Sequence, residues 1–277
     1  MLGTECDLSM SDEPGQLTVT ARRGSKRKLL RDLYHQGILR TWLRDRPEGW
    51  ELISGLWSPF YIQIRDVASH PKLLAHLGRA LARLIKEKVP EVNRLVGLAM
   101  AGIPIGTATA LVAGIPLAYT RKLEGVRRPE DVSGAAASYG EHALVQGDLA
   151  EGDRIAIVDD VVAESMSKQI GLRQIQLELE RRSLTDVSIE CIVVVVDREQ
   201  RGVGGSDVQG VPVHSLVQLK SEGVELLRGV VSERERDVIA RYIDDPESFQ
   251  DETVRDELRR EAEDHILRTH GPGGEGR

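Results

Sequence analysis

Apolar residues recur along this chain with two periods, and the switches between them mark its elements. Leu29, Leu30, Leu33, Ile38 and Leu39 predict a helix over 25–45, broken near Gly37. Residues 50–64 mix aromatic and β-branched side chains around Ser54-Gly55 and Ser58-Pro59, which predicts short strands with a turn. His70-Pro71 opens a helix in which Leu73, Leu74, Leu77, Leu81, Leu84 and Ile85 recur at helical spacing. Strands and helices then alternate: a short strand over 95–99, a loop and helix over 102–112, and a strand over 115–119. Residues 121–141 are charged, then small and polar, and read as a mobile loop. A brief strand over 143–145 precedes the turn Gly152-Asp153 and the apolar run from Arg154 to Val162. A helix over 166–182 carries Met166, Ile170 and Leu177 on one face. The unbroken apolar run over 187–196 is the pattern of a strand buried on both faces. Two charged helices separated by Asp245-Pro246 occupy 232–269.

Strand–helix alternation over the middle of the chain predicts an α/β fold with a doubly wound, mostly parallel sheet. We divide the chain into a polar tail over 1–24, a domain over 25–231, and an acidic helical extension over 232–277 that ends in a Gly/Pro-rich tail. Length and composition, 277 residues with 40% hydrophobic and 29% charged, fit one large globular domain with appendages. No apolar run approaches the roughly 20 residues of a membrane span. The first residues lack the basic-then-apolar order of a signal peptide. Cys6 and Cys191 form neither a disulfide framework nor a metal-ligand cluster, which fits a reducing cytoplasm. The net charge of −7 is concentrated in 232–270, where 13 acidic residues face 7 basic ones. That balance does not favour a nucleic-acid surface. The basic cluster Arg22-Arg23, Lys26-Arg27-Lys28 reads as a solvated helix start.

The chemistry concentrates where the run Ile155-Ala156-Ile157-Val158 meets Asp159-Asp160. Ligands of open α/β sheets lie at the carboxyl ends of strands. Adjacent carboxylates repel, so they call for ribose hydroxyls or a divalent cation as compensation; the plain alternative is a pair of turn residues closing a strand. Four other blocks accompany this one in order: Ser54-Gly55-Leu56-Trp57-Ser58-Pro59-Phe60-Tyr61-Ile62, Gly102-Ile103-Pro104-Ile105-Gly106, Tyr119-Thr120-Arg121-Lys122, and Val196-Asp197-Arg198-Glu199-Gln200-Arg201-Gly202.

In this order the five blocks resemble orotate phosphoribosyltransferases, over roughly residues 29 to 205. The resemblance implies the type I phosphoribosyltransferase fold, a five-stranded parallel sheet with a small hood. It implies transfer of phosphoribose from phosphoribosyl pyrophosphate to orotate, with magnesium, in a homodimer whose mobile loop reaches the neighbouring site. Asp159 and Asp160 match the family's acidic pair, which accepts hydrogen bonds from ribose hydroxyls. Arg121 and Lys122 match a basic pair whose cations neutralise the departing diphosphate. Arg198 matches an arginine that reads the orotate carboxylate, a contact suited to guanidinium geometry. Phe60 and Tyr61 match the aromatic site beside the pyrimidine. Gly102 fits either a close backbone approach to phosphate or a tight strand–helix turn.

Departures from the family pattern are equally visible. A Thr/Ser/Gly-rich loop should cradle the 5′-phosphate after the acidic pair; here it reads Ala163-Glu164-Ser165-Met166-Ser167, leaving Ser165 and Ser167 as hydroxyl donors and adding an anion. Ile53 stands where the family usually has a lysine and Ala101 where many but not all members carry one, and the mobile-loop Lys-x-His-Gly element is missing after Lys122. Arg127 and Arg128 are the candidate replacement cations. The leading reading is a working, divergent transferase. The alternatives are a relative that binds a nucleotide or phosphoribosyl ligand in a regulatory role, and an interaction protein that kept the scaffold.

Overall fold

A computed structural model describes residues 19–52, 54–138, 142–163, 165–200 and 207–270. Expectations for Ile53, Glu164, Tyr139-Gly140, Arg201-Gly202, residues 1–18 and the Gly/Pro-rich tail lie outside these residues.

The first described element is α1 (Val19–His35), which takes up the last six residues of the expected tail. It stops at Gly37, whose φ of 66° suits glycine and reverses the chain. Leu39 therefore lies not in a second helical half but in strand β1 (Leu39–Thr41). Strands β2 (Trp50–Glu51), β3 (Trp57–Ser58) and β4 (Phe60–Ile62) follow; β1 pairs antiparallel with β4 and β2 with β3, forming the hood. A 3-10 turn over Ile64–Ser69 leads into α2 (Pro71–Lys88), whose N1 proline supplies a preset φ.

Next come β5 (Arg94–Gly97), α3 (Gly102–Ala113), β6 (Leu117–Thr120), α4 (Asp131–Ser138), β7 (Val145–Gln146), β8 (Arg154–Val162), α5 (Met166–Arg181), β9 (Ser188–Asp197), β10 (Asp207–Val208) and β11 (Val211–Gln218). The sheet order is β10-β11-β9-β8-β5-β6-β7. The five inner strands pair parallel, and β7 and β10 pair antiparallel at the two edges. Strand alternation sends successive residues to opposite layers. Ala156 and Val158 of β8, with Cys191, Val193 and Val195 of β9, join the layer built with α2 and α3. Ile155, Ile157, Ile192 and Val194 pack under Leu172 and Ile175 of α5.

Three expectations need correction. The segment 121–141 is not all loop, because α4 occupies part of it. The Asp131 carboxylate accepts the N–H groups of Arg127 and Arg128 at 3.2 and 3.0 Å, and Val132 and Ala136 pack with Leu123 and Leu144. The Met166-Ile170-Leu177 face of α5 holds only in part: Ile170 and Leu177 pack on the Leu123, Val132, Ala136 and Leu144 cluster, but Met166 is exposed, and the more deeply buried residues of the helix are Lys168, Gly171, Leu172, Gln174, Ile175 and Glu178. The third concerns the C-terminal helices, whose charge reads as a solvated face. After the short α6 (Val224–Leu226), α7 (Glu233–Asp244) buries Glu235, Val238, Ile239, Tyr242 and Ile243, spaced as one helical stripe. These residues, with Phe249 and with Leu258 and Ala262 of α8 (Glu252–His270), share the core with α1, the hood and α2. Ser232 and Glu235 form a reciprocal capping box, and the same Glu235 carboxylate accepts hydrogen bonds from Tyr34 Oη at 3.0 Å and from Thr41 Oγ1. Burial, then the neighbouring Glu235 carboxylate, push the Tyr34 hydroxyl up to about 12.

Candidate functional site

Four neighbouring parallel strands, β6, β5, β8 and β9, end on one edge of the sheet. The residues that follow them, Arg121-Lys122, 98–102, Ala163, 165–167 and Arg198, therefore emerge along a single rim. At about 4.8 Å between strands, that rim is roughly 14 Å long. Backbone bonds stitch it together: the Leu98 N–H donates to Val158 O at 3.0 Å, and the Arg198 N–H donates to Val162 O at 2.8 Å. The buried Thr120 hydroxyl accepts the Ala99 N–H at 2.9 Å.

The two aspartates point to opposite faces of β8. Asp159 lies on the α5 side, is 7% exposed, and its Oδ2 is 2.8 Å from Lys168 Nζ. Lys168, itself buried, also donates to Val161 O and sits 3.3 Å from Ser167 Oγ. Asp160, half-buried on the other side, accepts the Val161 N–H at 2.7 Å. Burial first, then the Asp159 charge, push the Asp160 carboxyl up to about 6, while Lys168 and Arg65 of the 3-10 turn pull it down.

The turn after β8 leads into α5, whose first N–H groups lack helical acceptors and favour an anion. Ser165 is the N-cap, but its hydroxyl accepts from Gln169 Nε2 at 2.7 Å and does not cap the helix. Ser167 is exposed. At the β6 end, Lys122 is exposed and Arg121 half-buried. Gln174 of α5 secures that segment by donating to Arg121 O at 2.9 Å and Leu144 O at 2.8 Å. Arg127 and Arg128 are exposed beside the start of α4.

At the β9 end, Arg198 is buried with its guanidinium carbon 5.0 Å from the Phe60 ring centroid and 5.9 Å from that of Tyr242. The predicted aromatic pair is split by strand alternation. Phe60 is 1% exposed and meets Tyr242 edge-on at 5.7 Å, whereas Tyr61 is half-buried and stacks on Trp50 at 6.1 Å. Gly102 serves the tight turn: a Cβ there would lie 2.2 Å from Val158 O. Ala101 is buried, so no cation stands at that position.

Sequence reading missed Lys168, Arg65, Gln174 and Tyr242. Lys168 was detectable, since it falls four residues before Leu172 and seven before Ile175, on their inward stripe. Among the described residues no group of three or more His, Cys, Asp or Glu is placed to hold a metal ion. No helix among them is long and apolar enough to cross a membrane. With Asp159 already on Lys168, the rim is not a metal cage; a divalent cation fits only as part of a phosphorylated substrate, which supplies most of its oxygen ligands.

No family model matches the chain. It is 32% identical over 168 residues to the orotate phosphoribosyltransferase of Methanothermobacter thermautotrophicus, covering 61% of this chain and 81% of that protein. It is 32% identical over 170 residues to the orotate phosphoribosyltransferase of Pyrococcus furiosus, covering 60% of this chain and 81% of that one. Its fold is similar to that of Leishmania donovani UMP synthase, with a TM-score of 0.62 at 20% identity over 81% of this chain and 43% of that one. It also resembles Francisella tularensis orotate phosphoribosyltransferase, with a TM-score of 0.53 at 19% identity over 78% of this chain and 96% of that one.

Proposed function

The chain belongs to the orotate phosphoribosyltransferase family, and from that premise we propose that it transfers phosphoribose from phosphoribosyl pyrophosphate to orotate on the rim just described. The observation that carries this reading is convergence. The acidic pair in the last residues of β8, and the basic pair and Arg198 just after β6 and β9, are far apart in sequence but meet at one edge of the parallel sheet. The regulatory alternative is less favoured, since the matched proteins are named as transferases or UMP synthases.

Asp160 accepts hydrogen bonds from the ribose hydroxyls and holds the sugar against β8. The α5 N-terminus, with Ser165 and Ser167, receives the 5′-phosphate through backbone N–H groups. Arg198 pairs with the orotate carboxylate at the far end of the rim. The ribose C1–O bond breaks with its electron pair leaving on the diphosphate, while orotate N1, its proton given up to solvent, bonds to C1. Arg121 and Lys122 stabilise the negative charge that gathers on the leaving group. Magnesium, if held by the diphosphate of phosphoribosyl pyrophosphate, would lower the charge that Arg121 and Lys122 offset. We place the reaction in the cytoplasm. A homodimer, as in the family, is the expected assembly, and sedimentation equilibrium at twice the chain mass supports it where a monomer mass opposes it.

Steady-state kinetics of two variants test the assignment. Arg198→Gln is expected to raise the orotate KM by about tenfold or more with the phosphoribosyl pyrophosphate KM unmoved. Asp160→Asn is expected to impair use of phosphoribosyl pyrophosphate instead. Equal effects of both variants on both substrates contradict the division of the rim.

A further inference from the structure

We propose that Lys168 is a positioning residue of the phosphoribosyl subsite: by pairing with Asp159 and tying the end of β8 to the first turn of α5, it leaves Asp160 as the carboxylate that takes the sugar. The inference rests on the family reading above and concerns a side chain that reading does not use.

The geometry is specific. Lys168 is 3% exposed, yet its ammonium is surrounded by three acceptors: Asp159 Oδ2 at 2.8 Å, the Val161 carbonyl, and Ser167 Oγ at 3.3 Å. A buried ammonium persists where its donors are satisfied and a counter-charge is adjacent. These partners flank the segment that must receive a sugar phosphate, β8 on one side and the first turn of α5 on the other. Lys168 therefore sets both the charge beside Asp160 and the seating of α5 on the end of β8. Without it, two neighbouring carboxylates would meet an incoming dianion. With it, the pair and Lys168 together carry one net negative charge.

The charged groups acting on Asp160 are Asp159 from its own strand, Lys168 from α5 and Arg65 from the 3-10 turn. Because Lys168 lowers the Asp160 pKa, its removal raises that pKa further, and carboxylate-dependent sugar binding then fails at a higher pH.

The test uses the full chain and isothermal titration with ribose 5-phosphate from pH 5.5 to 8.5, beside orotate KM values. Lys168→Met is expected to weaken ribose 5-phosphate on the order of tenfold at pH 7 and to move the acidic fall-off upward by about one pH unit. The orotate KM should stay within about twofold of wild type, and Lys168→Arg should restore part of the affinity. An unmoved pH profile, or orotate and sugar phosphate weakened alike, overturns the inference. Should Lys168→Met fail to fold, Asp159→Asn is compared with Asp159→Asn/Lys168→Met. The double variant is expected to bind ribose 5-phosphate more weakly than Asp159→Asn, because the β8–α5 tie is lost as well; equal affinities overturn the inference. Wild-type protein that binds ribose 5-phosphate but never turns over removes the transferase reading and leaves the role of Lys168 standing. Wild-type protein that binds no sugar phosphate removes both.

Discussion

Asp160 is held in a charged state that the fold does not favour. Its pKa is about 6 against an ordinary 3.8, chiefly from burial and then from Asp159. A carboxyl whose folded pKa is raised binds its proton more tightly in the folded chain. Its contribution to stability is therefore fullest below about pH 4 and is lost as pH rises through 6. Asp160→Asn is expected to melt at higher temperature than wild type at pH 8, by an equivalent of about 1–2 kcal/mol, with the gap closing toward pH 4. A gap independent of pH contradicts this origin. The acidic pair was legible because two charges end an apolar run. Its division was not: only the β8 pleat reveals that Asp159 turns to Lys168 and Asp160 to the hood side. Phe60 and Tyr61 were separated for the same reason.

At the scale of elements, close approach and buried polar contacts decide what periodicity cannot. The first turn of α3 passes so near β8 that Gly102→Ala would place a methyl 2.2 Å from Val158 O. We expect this substitution to lower stability by about 2 kcal/mol or more in urea titration, shifting the midpoint without ordinary helix gain. An unchanged midpoint would show that the turn can relax. The sheet-facing stripe of α5 was not legible because Lys168, Gln174 and Glu178 count as polar, yet each is buried on a specific partner. The helix α4 was hidden in a small, polar segment because its stability comes from the Asp131 cap and the Leu123 and Leu144 contacts rather than from a long apolar face. Strand β11 follows no pattern we recognised, although it extends the parallel sheet beside β9.

Across the whole molecule, the C-terminal helices are structural partners of the hood and of Arg198. Gln250 accepts the Trp57 N–H at 2.8 Å and donates to Trp57 O at 3.2 Å, completing the edge of β3. Tyr242 lies between Phe60 and Phe249, with ring centroids 5.7 and 5.4 Å away. Removal of residues 232–277 should therefore abolish cooperative thermal unfolding rather than yield a folded, active core, and a sharp melt of the truncated chain would contradict this. Glu235→Ala offers a milder probe: loss of the cap and of acceptors for Tyr34 and Thr41 should cost about 2–4 kcal/mol in denaturant titration. Parallel sheet, hood and rim were legible from ordered blocks, whereas the role of this acidic segment depended on which side of each helix meets the core. The most direct test of the rim as a transferase site is release of pyrophosphate from phosphoribosyl pyrophosphate and magnesium on adding orotate. Wild-type protein is expected to release one pyrophosphate per orotate consumed, with Asp160→Asn nearly silent; no orotate-dependent release by the wild type, or equal release by the variant, would contradict it.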